Sequence, residues 1–182
     1  MPAQHEIQSP SPWVVRWTAL IRPGGEVLDV ACGSGRHTRY LASRGYGVVA
    51  VDRDNAALAA LAAVPGVRAQ AADLETAPWP FPPERFDGVV VTNYLHRPLF
   101  GDLVAALRTG GVLIYETFMQ GNEALGRPSN PDFLLRPGEL LEVLGERLTV
   151  VAFEQGRVDE PKPAVIQRIC AARAAAASVT IG

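Results

Sequence analysis

The stretch Val27-Leu28-Asp29-Val30-Ala31-Cys32-Gly33-Ser34-Gly35-Arg36-His37 passes from a brief apolar run through two glycines into a segment of helical character. Small residues fill the turn, which is where a backbone must pass close to a ligand or to another chain segment. The helix that follows offers unpaired N–H groups and the positive end of its dipole, a combination that suits an anionic group. Taken by itself, such a turn equally describes a tight strand-to-helix connection with no ligand.

On the N-terminal side, Trp13, Val14, Trp17, Leu20 and Ile21 recur at helical spacing and stop at Pro23-Gly24-Gly25, predicting a short amphipathic helix after a polar, proline-punctuated start. On the C-terminal side a helix from about Gly35 to Ser43 closes at Arg44-Gly45. Val48–Val51 reads as a strand ended by Asp52, Asn55–Val64 as an alanine-rich helix, and Val67–Ala72 as a third strand. The proline-rich run 77–83 is a loop, because proline removes a donor and clashes with the preceding turn. Phe86–Thr92 and Gly111–Thr117 are strands, with a helix at Leu99–Leu107 between them. Strands without polar alternation are buried on both faces, as in parallel sheets covered by helices, so the fold expected is a doubly wound α/β sheet.

The last third lacks a sustained period from Phe118 to Pro137, and a loop of that length inside a compact domain suggests a lid over residues 118–136. A short helix at Glu139–Leu144 precedes two strands, 148–153 and 165–171, joined by a turn near Asp159-Glu160-Pro161 and therefore antiparallel. One domain over residues 1–173 is expected, with 174–182 as a frayed tail.

Composition narrows the function classes. With 48% apolar residues the chain buries a core without staples. Its formal charge of −2, with arginines scattered rather than clustered, gives no nucleic-acid footprint and favours a small-molecule partner. Cys32 and Cys170 match no metal spacing and are too few for a disulfide framework. The start, with His5 and Glu6, lacks the basic patch and apolar run of a signal peptide, and no stretch reaches membrane-span length. A cytoplasmic protein without membrane attachment is expected.

Two acids extend the reading of the glycine turn. Asp52 follows the second strand and Asp73 the third, so both face the carboxyl edge of the sheet, where open α/β folds bind ligands at the switch point. The first can accept hydrogen bonds from both ribose hydroxyls and the second from the exocyclic amine of adenine. Turn and acids together describe a slot for an adenosine.

With these residues in place, VLDVACGSGRHTRYLA resembles motif I of the class I S-adenosylmethionine-dependent methyltransferases, VVAVDRD the second motif, AADLE the third and FDGVVVTNYLHRPLF the fourth. The resemblance runs from about Trp13 to Arg173. It implies a seven-stranded, mostly parallel sheet with an antiparallel final hairpin, and S-adenosylmethionine as cofactor. On the matching positions it implies that Asp29, Ala31, Gly33 and Gly35 shape the cofactor turn, with Cys32 and Arg36 as candidate cofactor-binding residues beside them. It further implies that Asp52 holds ribose and that Asp73 with Leu74 frames adenine; Arg53 and Asn93 are further candidate cofactor-binding residues. The chain departs from the family at Ala31, where the first glycine of the motif normally stands, and in the proline-rich loop that replaces the helix between strands three and four. The runs ACGSGRHT, NYLHRP and YETF, with GRPSNPDFLLRPGEL, look most like the tellurite-resistance-type branch.

Methyl transfer from a sulfonium is an in-line displacement that alignment and water exclusion can carry, so a general base is optional. Tyr94, His96 and Arg97, just after the fourth strand, and Arg127 in the long loop are the candidate catalytic residues, suited to holding a thiol, an oxyanion or a chalcogen oxyanion. Glu116 is a further pocket candidate, while His37 is expected to face solvent and Cys32 to be inert packing. Two other functions compete: an NAD(P)-dependent oxidoreductase, whose fingerprint needs a third glycine where Arg36 and Thr38 stand, and a non-catalytic S-adenosylmethionine-binding protein. The asparagine-proline-proline-aromatic signature for planar nitrogens is absent, since Tyr94 and Leu95 follow Asn93.

Overall fold

Seven strands form one sheet in the order β3-β2-β1-β4-β5-β7-β6, seen in a computed structural model that describes residues 9–181. The strands are β1 (Glu26–Val30), β2 (Gly47–Asp52), β3 (Val67–Ala71), β4 (Phe86–Thr92), β5 (Leu107–Phe118), β6 (Thr149–Val158) and β7 (Ala164–Ala172). The first five are mutually parallel, and β7 runs antiparallel to both β5 and β6. This is the doubly wound α/β sheet with an antiparallel final hairpin that the apolar strand pattern predicts.

Strand alternation divides the apolar residues between two covered faces. Leu28, Val30, Val49, Val51, Val89 and Val91 pack with residues of α4 (Phe100–Ala106) and α5 (Glu139–Gly145). Val27, Val48, Val90, Val112 and Ile114 pack with residues of α1 (Pro12–Trp17) and α2 (Arg36–Ser43). Burial on both faces is why these strands read as continuous apolar runs.

Several boundaries differ from expectation. The helix begun at Asn55 is α3 (Asn55–Ala59) and loosens into i→i+3 turns, Leu61 N–H to Leu58 at 2.9 Å and Val64 N–H to Leu61 at 3.0 Å, ahead of Pro65. The N-terminal helix ends at Trp17 in a single 3₁₀ turn, and β5 starts four residues earlier than Gly111 through an irregular pairing with Phe86. Between Ala72 and Arg85 there is no helix, as the prolines require. The run 118–137 is more ordered than its composition implies. Met119 bridges Leu135, single 3₁₀ turns occupy 122–124 and 131–133, and Leu134 and Leu135 are buried as anchors. The tail likewise holds a turn at Ala176–Ser178. The polar opening run, His5 and Glu6 included, lies outside the described residues.

Candidate functional site

Because β1 to β4 are parallel, Ala31, Asp52, Asp73 and Asn93 leave the sheet at one edge, on either side of the switch point between β1 and β4. The turn after β1 is built from left-handed residues: φ is +51° at Ala31, +52° at Gly33 and +79° at Gly35. Asp52 pins it, accepting from Gly33 N–H at 2.8 Å on one oxygen and from Asp54 N–H at 2.9 Å on the other. A carboxylate oxygen has two acceptor positions, so each keeps one open for a hydroxyl, which fits a ribose diol.

The two glycines turn out to serve different ends. A Cβ on Gly33 would meet nothing within 4 Å, so the backbone there borders open space a ligand can enter. A Cβ on Gly35 would lie 2.3 Å from Leu61 Cδ2, so its smallness serves packing against the turn after α3. Cys32 joins that same buried cluster with Ala50, Leu58 and Leu61, and burial pushes its thiol up, away from a reactive thiolate.

Asp29 does not reach the slot. It is buried, accepts the Thr38 hydroxyl at 2.6 Å, and burial raises its carboxyl to about 6, so it fastens α2 to β1 beneath the turn. His37 reverses expectation: it is buried rather than solvent-facing, because Ser11, the N-cap of α1, folds over it. Ser11 N–H donates to His37 Nε2 at 3.0 Å, which leaves the proton on Nδ1 to be donated to Thr92 Oγ1 at 3.1 Å. Burial, with Arg36 nearby, lowers this imidazole to about 3, so it stays neutral. The Ser11 hydroxyl donates to Glu116 at 2.8 Å, and Arg168 donates to the other oxygen of that carboxylate at 3.2 Å. Glu116 is thus spoken for as a structural tie and does not complete a pocket.

Asp73 is held below the usual carboxylate range by the Glu75 N–H, 3.0 Å away, which keeps it an acceptor; Leu74 beside it is buried. Arg36 begins α2 and Arg53 is exposed next to Asp52. The residues present therefore fit S-adenosylmethionine: an open glycine cradle, a two-oxygen acceptor and a third acceptor in line along one sheet edge.

Next to this slot lies a cavity of about 200 Å³ lined by Glu75, Asn93, Tyr94, Leu95, Thr117, Phe118, Pro128 and Phe133. Asn93 reaches it from a left-handed turn, φ +54°, whose N–H donates to the Glu116 carbonyl at 2.9 Å. Of the candidate catalytic residues, Tyr94 lines this cavity, and burial together with Glu75 and Asp73 pushes its phenol up to about 12. Arg127 lines a smaller neighbouring recess, and the His96 side chain lines neither. Arg97 is removed from the catalytic set by its partners. It donates to both Glu139 oxygens at 2.6 and 3.0 Å and to the carbonyls of Asp132 and Leu134, both at 2.9 Å. Glu139 is 3% exposed at its side chain, so this guanidinium neutralises a buried carboxylate and straps the long loop to the end of β4. Glu75, Leu95 and Thr117 were not anticipated, while Phe118, Pro128 and Phe133 fall within the 118–136 segment expected as a lid.

Residues 27–111 match the family model described as a methyltransferase domain. No curated protein matches the chain. Among solved structures, an S-adenosylmethionine-dependent methyltransferase from Methanosarcina mazei superposes with a TM-score of 0.71 at 17% identity, covering 92% of this chain and 99% of its own. TehB from Haemophilus influenzae gives 0.75 at 19% identity over 90% of this chain, which spans 62% of it. A TehB-like methyltransferase from Corynebacterium glutamicum gives 0.64 at 21% identity, covering 88% and 86%. These likenesses show the fold, and residues 27–111, somewhat less than half of the chain, are similar to a methyltransferase domain.

Proposed function

We propose, for a chain whose residues 27–111 match a methyltransferase domain, that it transfers a methyl group from S-adenosylmethionine and that the acceptor is a small molecule presenting a thiolate or an oxyanion in the cavity between Asn93–Leu95 and Thr117–Phe118. The observation that carries the reading is the position of that cavity. It sits at the carboxyl ends of β4 and β5 and shares Glu75 and Asn93 with the cofactor edge. At about 200 Å³ it suits a compact acceptor.

When bound, S-adenosylmethionine supplies a methyl group activated on a sulfonium. The protein's part is to align the acceptor and exclude water. Leu95, Phe118, Pro128 and Phe133 form the apolar walls. Tyr94, with its phenol at about 12, keeps its proton at neutral pH, so it donates a hydrogen bond that fixes the acceptor and does not act as a base. The acceptor's charge is cancelled as the methyl arrives, so an ionised acceptor needs no base in the site.

Calorimetry with S-adenosylmethionine, followed by a screen of small thiols, carboxylates and chalcogen oxyanions for the demethylated cofactor, tests this. At least one acceptor turns over, and Tyr94→Phe lowers kcat/KM about tenfold at unchanged cofactor affinity, the loss of one hydrogen bond to a charged group. Cofactor binding without turnover of any such acceptor would refute the small-acceptor reading, and NAD binding without S-adenosylmethionine binding would refute the cofactor.

A further inference from the structure

Phe118 is a wall of the acceptor cavity and also of a second recess, about 100 Å³, edged by Leu125, Arg127 and Lys162. Lys162 is the sole lysine of the sequence and lies just before β7. Arg127 precedes Pro128, which itself borders the larger cavity. The two recesses are therefore neighbours across one aromatic ring and one turn.

The two cations face this recess uncompensated. Among the described residues neither Arg127 nor Lys162 enters an ion pair or a hydrogen bond. Of the carboxylates nearest in sequence, Asp159 pairs with Arg157 at 3.1 Å, Glu123 accepts the Gly121 N–H at 2.7 Å, and Glu160, two residues before Lys162, makes no ion pair with either cation among the described residues. Their segments are held together by Asn122, which is buried: its Nδ2 donates to the Pro128 carbonyl at 3.1 Å and its Oδ1 accepts from Val165 N–H at 3.1 Å. Two like charges fixed at one recess repel, and an anion seated between them turns that repulsion into attraction.

We propose that Arg127 and Lys162 form a subsite for a carboxylate on the methyl acceptor. The acceptor is then a small organic acid whose apolar body lies along Phe118 and Leu125 and whose nucleophile reaches Tyr94. This rests on the larger cavity being the acceptor site. Arg127 and Lys162 set specificity and take no part in bond making.

Having one lysine makes the subsite directly observable. Reductive 13C-methylation keeps the charge and yields a single lysine side-chain signal beside that of the chain's amino terminus. Titration with phenylacetate shifts the Lys162 signal saturably, with a Kd at least fivefold lower than for phenylacetamide. Arg127→Gln, an exposed substitution, weakens phenylacetate at least fivefold while thermal unfolding stays that of the wild type. The proposal is overturned by a Lys162 signal that phenylacetate does not move, by equal affinity for the amide, or by an unchanged Kd in a folded Arg127→Gln variant. No methyl transfer enters this readout. Its failure removes the carboxylate subsite alone, whereas a shifted signal with no acceptor turned over removes the transfer reading and leaves a carboxylate site that serves no methyl acceptor.

Discussion

Gly33→Ala adds one methyl group to the turn after β1 at a backbone φ of +52°, facing space in which a Cβ meets nothing within 4 Å. An L-residue in this left-handed conformation costs about 1–2 kcal/mol relative to glycine. Lower entropy of the unfolded alanine chain returns about 0.5 kcal/mol, leaving a net loss of about 1 kcal/mol. For a chain of this length that lowers Tm by about 3 °C, so the variant remains folded. Cofactor binding responds differently, since the new methyl occupies the cradle itself. An overpacking cost of about 1–3 kcal/mol raises Kd roughly 5- to 150-fold. Gly35→Ala is the control: its Cβ would stand 2.3 Å from Leu61 Cδ2 at φ +79°, so packing strain adds to backbone strain and stability falls by about 3 kcal/mol. Calorimetric titration with S-adenosylmethionine and with its demethylated product, beside thermal unfolding of both variants, measures the two effects separately. A folded Gly33→Ala protein binding both ligands as tightly as the wild type would show that the cofactor does not pass this turn.

Ala31 sits at φ +51° without the glycine its place favours, while its methyl packs against the main core cluster, so Ala31→Gly raises stability by less than about 1 kcal/mol in denaturant unfolding; a loss instead would mean that the packing outweighs the backbone strain. Arg97→Met leaves the Glu139 carboxylate buried without its guanidinium. A loss of about 2 kcal/mol follows, discounted because Arg97 is 38% exposed, with enhanced proteolysis of the 131–138 segment; a neutral result would refute the strap. His37, at about 3 when folded and 6.5 ordinarily, takes up protons first in the unfolded chain. Its stabilisation is lost as pH falls below 6.5, about 2 kcal/mol between pH 7 and 5. Asp29, raised to about 6, acts oppositely and returns about 1 kcal/mol over the same interval, so His37→Gln changes the sign of the pH response, read by urea unfolding at the two pH values.

The parallel sheet was legible because its central strands carry buried apolar runs, residues 48–51, 89–91 and 112–115, and Phe86–Thr92 is bounded in the structure where the apolar run is bounded. The ordering of residues 118–137 was not. Two leucines, Leu134 and Leu135, anchor that segment within a run whose glycine, asparagine and proline content signals a loop, and two residues establish no period. His37 was misjudged for a related reason. At the start of a helix it had every mark of an exposed polar residue, and what buries it is Ser11, 26 residues away in sequence, donating to Nε2 at 3.0 Å.

That Ala31, Asp52 and Asp73 share one sheet edge was readable because a turn residue and acids at strand ends occupy predictable places once strands are known. The acceptor side depends on which charges are left uncompensated, and that is a property of contacts. Arg97 and Arg127 had equal standing in the sequence, each in a polar segment near the carboxyl edge. Folding supplies Arg97 with Glu139 at 2.6 Å, a carboxylate 42 residues away that burial would destabilise without a cation. Arg127 receives no such partner among the described residues and instead edges a recess opposite Lys162. An arginine that satisfies a buried acid is consumed by the fold, and one left beside a second cation retains its full attraction for an anion from outside. That difference in pairing, more than residue type or place along the chain, separates a structural cation from one left free to attract an anion here.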